Sequence, residues 1–357
     1  MLLGRAFCRR AALLAALACA SLHAADFDIV ALGVEGGLDD GNLSSYLIRV
    51  RGDTRYLALD AGSLLPGIRA GLSRGAFDTS HSAGAGAILR EGIAGYFISH
   101  AHLDHVAGLL IAATDDAGPK PIYAFAKTLD ALDRNYFNWT AWPNFADRGA
   151  APALGRYRLV DERAGQWFTI AGTSMSGCLY PLWHDRVTSS MILLRAGDGY
   201  FAYFGDTGPD ALAQGHQLAD VWRLLAPLLR RHQLRGMLIE ASYPDDIADT
   251  QLFGHLTPAW LLRELQALRQ AAGGADSLRG LPVLIGHIKP SLVEGRDTRA
   301  LIEAQLDAGN ALGVRFFFPR QGEHYRLFEN GAAEAQRHIE SEGRRASVCV
   351  RPTNRRS

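Results

Sequence analysis

The stretch Ser99-His100-Ala101-His102-Leu103-Asp104-His105 places the tightest constraint on what this chain can become. Three imidazoles and one carboxylate fall within the six residues from His100 to His105. The preceding Gly95-Tyr96-Phe97-Ile98-Ser99 is apolar and aromatic and reads as a buried strand, while Val106, Leu109 and Leu110 begin a helical spacing. The cluster therefore sits on a strand-to-helix turn. Alternate residues of extended backbone share a face, so His100 and His102 can grip one cation. Asp104 and His105 lie past the bend and reach towards a second. Imidazole mixed with carboxylate suits zinc, with manganese or iron as the alternatives.

The order His-x-His-x-Asp-His resembles the signature of the metallo-β-lactamase fold. The longer string His100-Ala101-His102-Leu103-Asp104-His105-Val106-Ala107-Gly108-Leu109 is similar to the narrower signature of the class II cyclic-nucleotide phosphodiesterases. That signature continues to Ser followed by Ala or Pro, where this chain has Ala113-Thr114. Three further blocks follow in the same order: Phe137-Asn138-Trp139-Thr140-Ala141-Trp142-Pro143-Asn144-Phe145, Phe253-Gly254-His255-Leu256-Thr257-Pro258, and His287-Ile288-Lys289-Pro290-Ser291.

The resemblance implies an α/β fold, a four-layer αββα sandwich with two mixed sheets flanked by helices. It implies two divalent ions. His100, His102 and His184 would hold one, and Asp104, His105 and His287 the other, with Asp206 of Gly205-Asp206-Thr207 bridging them. His184 is the only histidine between the cluster and that aspartate, although Asp185 beside it leaves a surface ion pair open. Asp60, in Asp60-Ala61-Gly62, would brace the metal loop without binding metal itself. In the related tRNA 3′-processing endonucleases a strand-end Glu and a His-x-Thr motif form a proton-donating pair. Carried over, that pair is Glu240 and His255. The implied reaction is hydrolysis of 3′,5′-cyclic AMP, with cyclic GMP as second candidate, to the 5′-monophosphate by a water activated between the ions.

Candidate substrate contacts are weaker in kind. Asn138, Trp139, Trp142 and Asn144 place aromatics beside amides, which can stack on and hydrogen-bond a purine. The same residues can equally pack a loop onto the core. Lys289 can offset phosphoryl charge or stand as a surface cation. The fold also hosts lactam, thioester and sulfate-ester cleavage, so the metal residues alone give only a metal-dependent hydrolase. The rival readings are another hydrolase of the fold, such as an arylsulfatase or tRNA-processing nuclease, and a periplasmic protein that binds nucleotide without turnover.

Lysine plus arginine number 37 and aspartate plus glutamate 37, so no basic excess argues for nucleic acid. Residues 1–24 carry Arg5, Arg9 and Arg10 before a short apolar run and small residues, the pattern of a secretory signal peptide. The run implies a periplasmic or secreted protein with no stable membrane insertion after cleavage; lipoprotein processing at Cys19 is the alternative. Cys8 and Cys19 fall in this leader, leaving Cys178 and Cys349. Residues 25–330 read as the catalytic domain and 331–357 as a polar tail that frays. The oligomeric state stays open, a homodimer included.

Overall fold

Strand β1 (Phe27–Gly33) is buried along its whole length, and its alternation sets the layering. Phe27, Ile29 and Ala31 enter one apolar layer while Val30 and Leu32 enter another, as a period of two requires. The computed structural model describes residues 26–77, 84–328 and 333–336. The candidate leader, His81 and Cys349 lie outside them.

After β1 come β2 (Ser45–Val50), β3 (Tyr56–Leu59), β4 (Ile93–Phe97), β5 (Lys120–Ala124) and β6 (Tyr157–Asp161). Next are β7 (Trp167–Thr169), β8 (Ser176–His184), β9 (Val187–Ala196) and β10 (Gly199–Phe204). The set ends with β11 (Leu234–Glu240), β12 (Pro282–Gly286), β13 (Arg315–Phe317), β14 (His324–Leu327) and β15 (Ala333–Gln336). One sheet runs β15-β14-β1-β2-β3-β4-β5-β6 and the other β13-β12-β11-β10-β9-β8-β7. Both are mixed: β3 to β6 pair parallel, as do β10 to β13, while the remaining neighbours pair antiparallel.

The longer helices are α1 (Leu65–Ser73), α2 (Leu103–Ala112), α3 (Ala126–Asn135), α4 (Gln217–Arg230), α5 (Pro258–Ala272) and α6 (Thr298–Gly309). Residues of the first three join the apolar layer outside the first sheet, and residues of the last three join that outside the second. Between the sheets lie Phe27, Tyr46, Phe97, Ile192, Phe201, Tyr203 and Leu284. Each such side chain contributes roughly 1.5–3 kcal/mol by leaving water. The result is the four-layer αββα sandwich. Among the described residues no helix is long and apolar enough to cross a membrane.

Two differences from the sequence reading have simple causes. Strand β6 alternates buried and open positions at a sheet edge, so no continuous apolar run marks it. Strand β15 pairs antiparallel with β14, so regular structure extends into the segment assigned to the tail. Backbone pairing there needs no apolar signal.

Candidate metal centre

Asp60, the metal loop, His184, Asp206, Glu240 and His287 all stand at or just past the C-terminal ends of strands β3, β4, β8, β10, β11 and β12. Parallel strands bring such ends to one edge of the sandwich, where ligands of open α/β sheets gather. Helix α2 starts at Leu103, with His102 as its N-cap, so Asp104 and His105 occupy its first turn. Gly108 allows that helix to lie against the backbone of Ala61, Gly62 and Leu64; a Cβ there would crowd all three.

Asp206 lies among five imidazoles, and His255 Nδ1 is 3.8 Å from its Oδ2. Its carboxylate is 3.7 Å from His100 Nε2, 3.7 Å from His184 Nε2, 3.2 Å from His105 Nε2 and 3.2 Å from His287 Nε2. His184 Nε2 is 3.2 Å from His102 Nδ1, and His287 Nε2 is 3.2 Å from Asp104 Oδ2. Donor atoms of His100, His102, His184 and Asp206 converge as one group within 4.8 Å of one another, and those of Asp104, His105 and His287 as a second. A third such group is Asp206, His255 and His287.

Does this pocket fit cations? His100 Nε2 and His105 Nε2 are buried without a hydrogen-bond partner. Orphaned ring nitrogens of this kind are costly unless something accepts their lone pairs. Burial pushes the His100 ring well below the ordinary imidazole range and His184 down to about 4, so both offer lone pairs at neutral pH. Burial raises Asp104 and Asp206, but the neighbouring imidazoles of His287 and His105 outweigh it and keep both carboxylates ionised. Burial lowers His105 too, but the Asp206 and Asp60 carboxylates hold its ring well above the ordinary range, so a cation taken up there would replace a proton. Imidazoles grouped with carboxylates are a donor set for divalent metal, zinc among them. The residues fit.

The supports of these ligands are explicit. Asp60 is fully buried at φ 52° and accepts from Ser99 N at 2.7 Å, Ser99 Oγ at 2.7 Å and Tyr203 OH at 2.7 Å. Its Oδ2 also lies 2.8 Å from His105 Nδ1, which turns His105 Nε2 towards the ion site. His184 Nδ1 lies 3.0 Å from the Gly254 carbonyl. Gly36 packs directly on the His287 ring, where any Cβ would collide.

Beside the ligands, Glu240 Oε1 is 2.9 Å from His255 Nδ1. Burial raises the Glu240 carboxyl, but His255 more than offsets it, and the Thr207 and Leu256 amides donate to its oxygens at 2.8 and 3.2 Å. The His255 ring lies between His184 and His287, with ring centroids at 4.7 and 5.2 Å.

A cavity of about 500 Å³ opens over the centre. It is lined by His102, Asp104, His184, Asp206, His255 and Lys289 from the sequence reading, and by Arg186, Val187, Tyr243 and Phe253, which that reading gave no role. Tyr243 could have been found from its place just past the strand-end Glu240. Nothing local marks Arg186.

The aromatic–amide stretch of the sequence reading lies elsewhere. Asn138, Trp139, Trp142 and Asn144 do not line the cavity. Asn138 Oδ1 accepts from the Thr140 and Ala141 amides, and its Nδ2 donates to the Arg134 carbonyl. The buried Asn144 donates to the Arg148 and Ala150 carbonyls. Trp139 Nε1 donates to the Pro152 carbonyl, and Trp142 packs against the helix-covered core. The polar side-chain atoms of Asn138, Trp139 and Asn144 hold the loop together, whereas Trp142 Nε1 is buried without a hydrogen-bond partner.

Residues 25–322 match the family model of the class II cAMP phosphodiesterases. The chain is 50% identical over 309 residues to a probable 3′,5′-cyclic-nucleotide phosphodiesterase of Yersinia pestis, covering 85% of this chain and 90% of that one. Its fold superposes on unliganded yeast PDE1 with TM-score 0.74 at 21% identity, over 85% of this chain and 99% of the other. The metallo-β-lactamase fold protein YhfI of Bacillus subtilis gives TM-score 0.57 at 15% identity, over 85% and 99%.

Proposed function

The chain belongs to the class II cAMP phosphodiesterases and is a 3′,5′-cyclic-nucleotide phosphodiesterase; from that premise we propose that it hydrolyses 3′,5′-cyclic AMP, and cyclic GMP second, to the 5′-monophosphate at a two-ion centre. The observation that carries this reading is the position of Asp206 between two groups of imidazoles.

His100, His102 and His184 would hold one ion and Asp104, His105 and His287 the other, with Asp206 placed between the two groups. Two divalent cations, zinc by the donor set, supply an activated water and offset charge on the phosphoryl oxygens when bound. The protein's own groups do the rest. Glu240 accepts a hydrogen bond from His255 Nδ1–H, which leaves Nε2 as the ring nitrogen free to pass a proton to substrate. Donation of that proton to the departing 3′ oxygen is worth roughly 10²–10⁴-fold. Lys289, on the cavity wall, adds positive charge beside the phosphate. Phe253, 63% exposed on the same wall, and Tyr243 offer faces for the base. Residues 1–24 direct the enzyme out of the cytoplasm.

The test is product analysis with cyclic AMP and cyclic GMP before and after chelation. The 5′-monophosphate should form, and chelation should stop it. Recovery of unchanged nucleotide from metal-loaded protein would favour the binding-protein reading and overturn this one.

A further inference from the structure

We propose that Ser242 is a positioning residue that fixes the ring of the metal ligand His287 and ties it to the Glu240–His255 pair. The inference rests on the two-ion reading above.

Ser242 follows β11 by two residues and is fully buried. Its backbone joins two loops: the amide donates to the Leu256 carbonyl at 2.9 Å, and its carbonyl accepts from Lys289 N at 3.0 Å. His255 precedes the first of these partners, and His287 lies two residues before the second. The side chain repeats the connection. Ser242 Oγ hydrogen-bonds Glu240 Oε2 and lies 2.9 Å from His287 Nδ1 and 3.3 Å from His255 Nδ1. The His287 carbonyl is also within 3.0 Å.

A hydroxyl has one proton to give and two lone pairs to offer. The Glu240 carboxylate and the His287 carbonyl can only accept, so the Ser242 proton goes to one of them, Glu240 being the nearer, and not to a ring nitrogen. Oγ is then an acceptor for His287, whose proton must sit on Nδ1. That tautomer leaves the Nε2 lone pair facing Asp104 and Asp206, each 3.2 Å away, where the second ion would bind. His287 has φ 57°, an uncommon conformation for a side chain of this size. The ring is therefore held by its contacts, with Gly36 against its face and Ser242 at its Nδ1.

The first half of the sandwich contains the same construction. Ser99 Oγ donates to Asp60 Oδ2 at 2.7 Å and lies 3.1 Å from Nδ1 of the ligand His100. Asp60 also faces His105 Nδ1 directly, as Glu240 faces His255 Nδ1. Each half thus has a buried strand-end acid, a serine and a ligand histidine in one chain of hydrogen bonds. Ser242 does for His287 what Ser99 does for His100.

Zinc affinities of the full chain, measured by chelator competition, test this with three proteins. Wild type should take up two ions. Ser242→Ala should keep the first at wild-type affinity and bind the second about 10–100-fold more weakly, the usual cost of losing a hydrogen bond to a ligand histidine. Ser242→Thr, which retains the hydroxyl, should restore it. Equal affinities for both ions in Ser242→Ala would overturn the proposal. Fewer than two ions in wild type would instead overturn the two-ion reading. Should Ser242→Ala fail to fold, long-range ¹H–¹⁵N spectra of zinc-loaded wild type decide. His287 should carry its proton on Nδ1 and bind through Nε2, and ligation through Nδ1 would sink the idea.

Discussion

Replacing Asp60 with Asn keeps the shape of the side chain and removes its charge. Oδ1 receives the Ser99 amide, and Oδ2 faces Ser99 Oγ, Tyr203 OH and His105 Nδ1, all at 2.7–2.8 Å. A backbone amide cannot turn round, so the Asn oxygen must stay at the first position. Its NH₂ then confronts three donors. The two hydroxyls can rotate and accept instead, but His105 can do so only by moving its proton to Nε2, the nitrogen that faces the ion site. The variant therefore sets the bracing bond against metal ligation. A hydrogen bond to a charged group contributes about 1.5–3 kcal/mol. At 1.4 kcal/mol per factor of ten, that is roughly 10–100-fold in affinity for the ion held by His105. The left-handed backbone at residue 60 adds little, since Asn tolerates it as Asp does. Zinc affinity by chelator competition and guanidinium unfolding of the metal-free protein read the two effects separately. Wild-type affinity for both ions in Asp60→Asn would remove Asp60 from the bracing role.

Three other outcomes are expected. His255→Ala should lower turnover of cyclic AMP by about 10²–10⁴-fold with two ions still bound; loss of an ion by metal analysis would make His255 a ligand, not a proton donor. Phe253→Ala should raise KM for cyclic AMP by about 5–100-fold, since stacking on a base is worth roughly 1–3 kcal/mol, and unchanged steady-state constants would remove it from the base site. Asp28 is buried, which by itself raises its carboxyl, yet hydrogen bonds from His324 and Arg326 hold it at about 2 against an ordinary 3.8. Its contribution, about 2 kcal/mol, is present in full above pH ~4 and is lost as pH falls towards ~2. Asp28→Asn should therefore unfold more easily at pH 7 by denaturant titration, with the gap closing at pH 2; a constant gap would contradict the linkage.

What the sequence made legible was chemistry carried on contiguous backbone. His100, His102, Asp104 and His105 owe their convergence to one strand-to-helix turn, so spacing alone exposes them. The isolated His184 and His287 have no such local mark, and the family resemblance supplied them; the structure brings both to Asp206. The aromatic–amide stretch carries two readings because an amide that fastens a turn looks the same in sequence as one that binds a purine. In the structure the polar atoms of Asn138 and Asn144 are taken up by nearby backbone, which is the turn-fastening arrangement. Ser242 was invisible for a related reason. Its role arises where the ends of β11 and β12 meet the loop of His255, a junction no local pattern encodes.

In the proposed centre seven side chains hold two neighbouring ions. Crystals of the zinc-loaded full chain, measured above and below the zinc absorption edge, test it most directly. Two anomalous peaks should appear, one among His100, His102 and His184 and one among Asp104, His105 and His287, with Asp206 touching both. A single peak, or a pair placed away from Asp206, would contradict it.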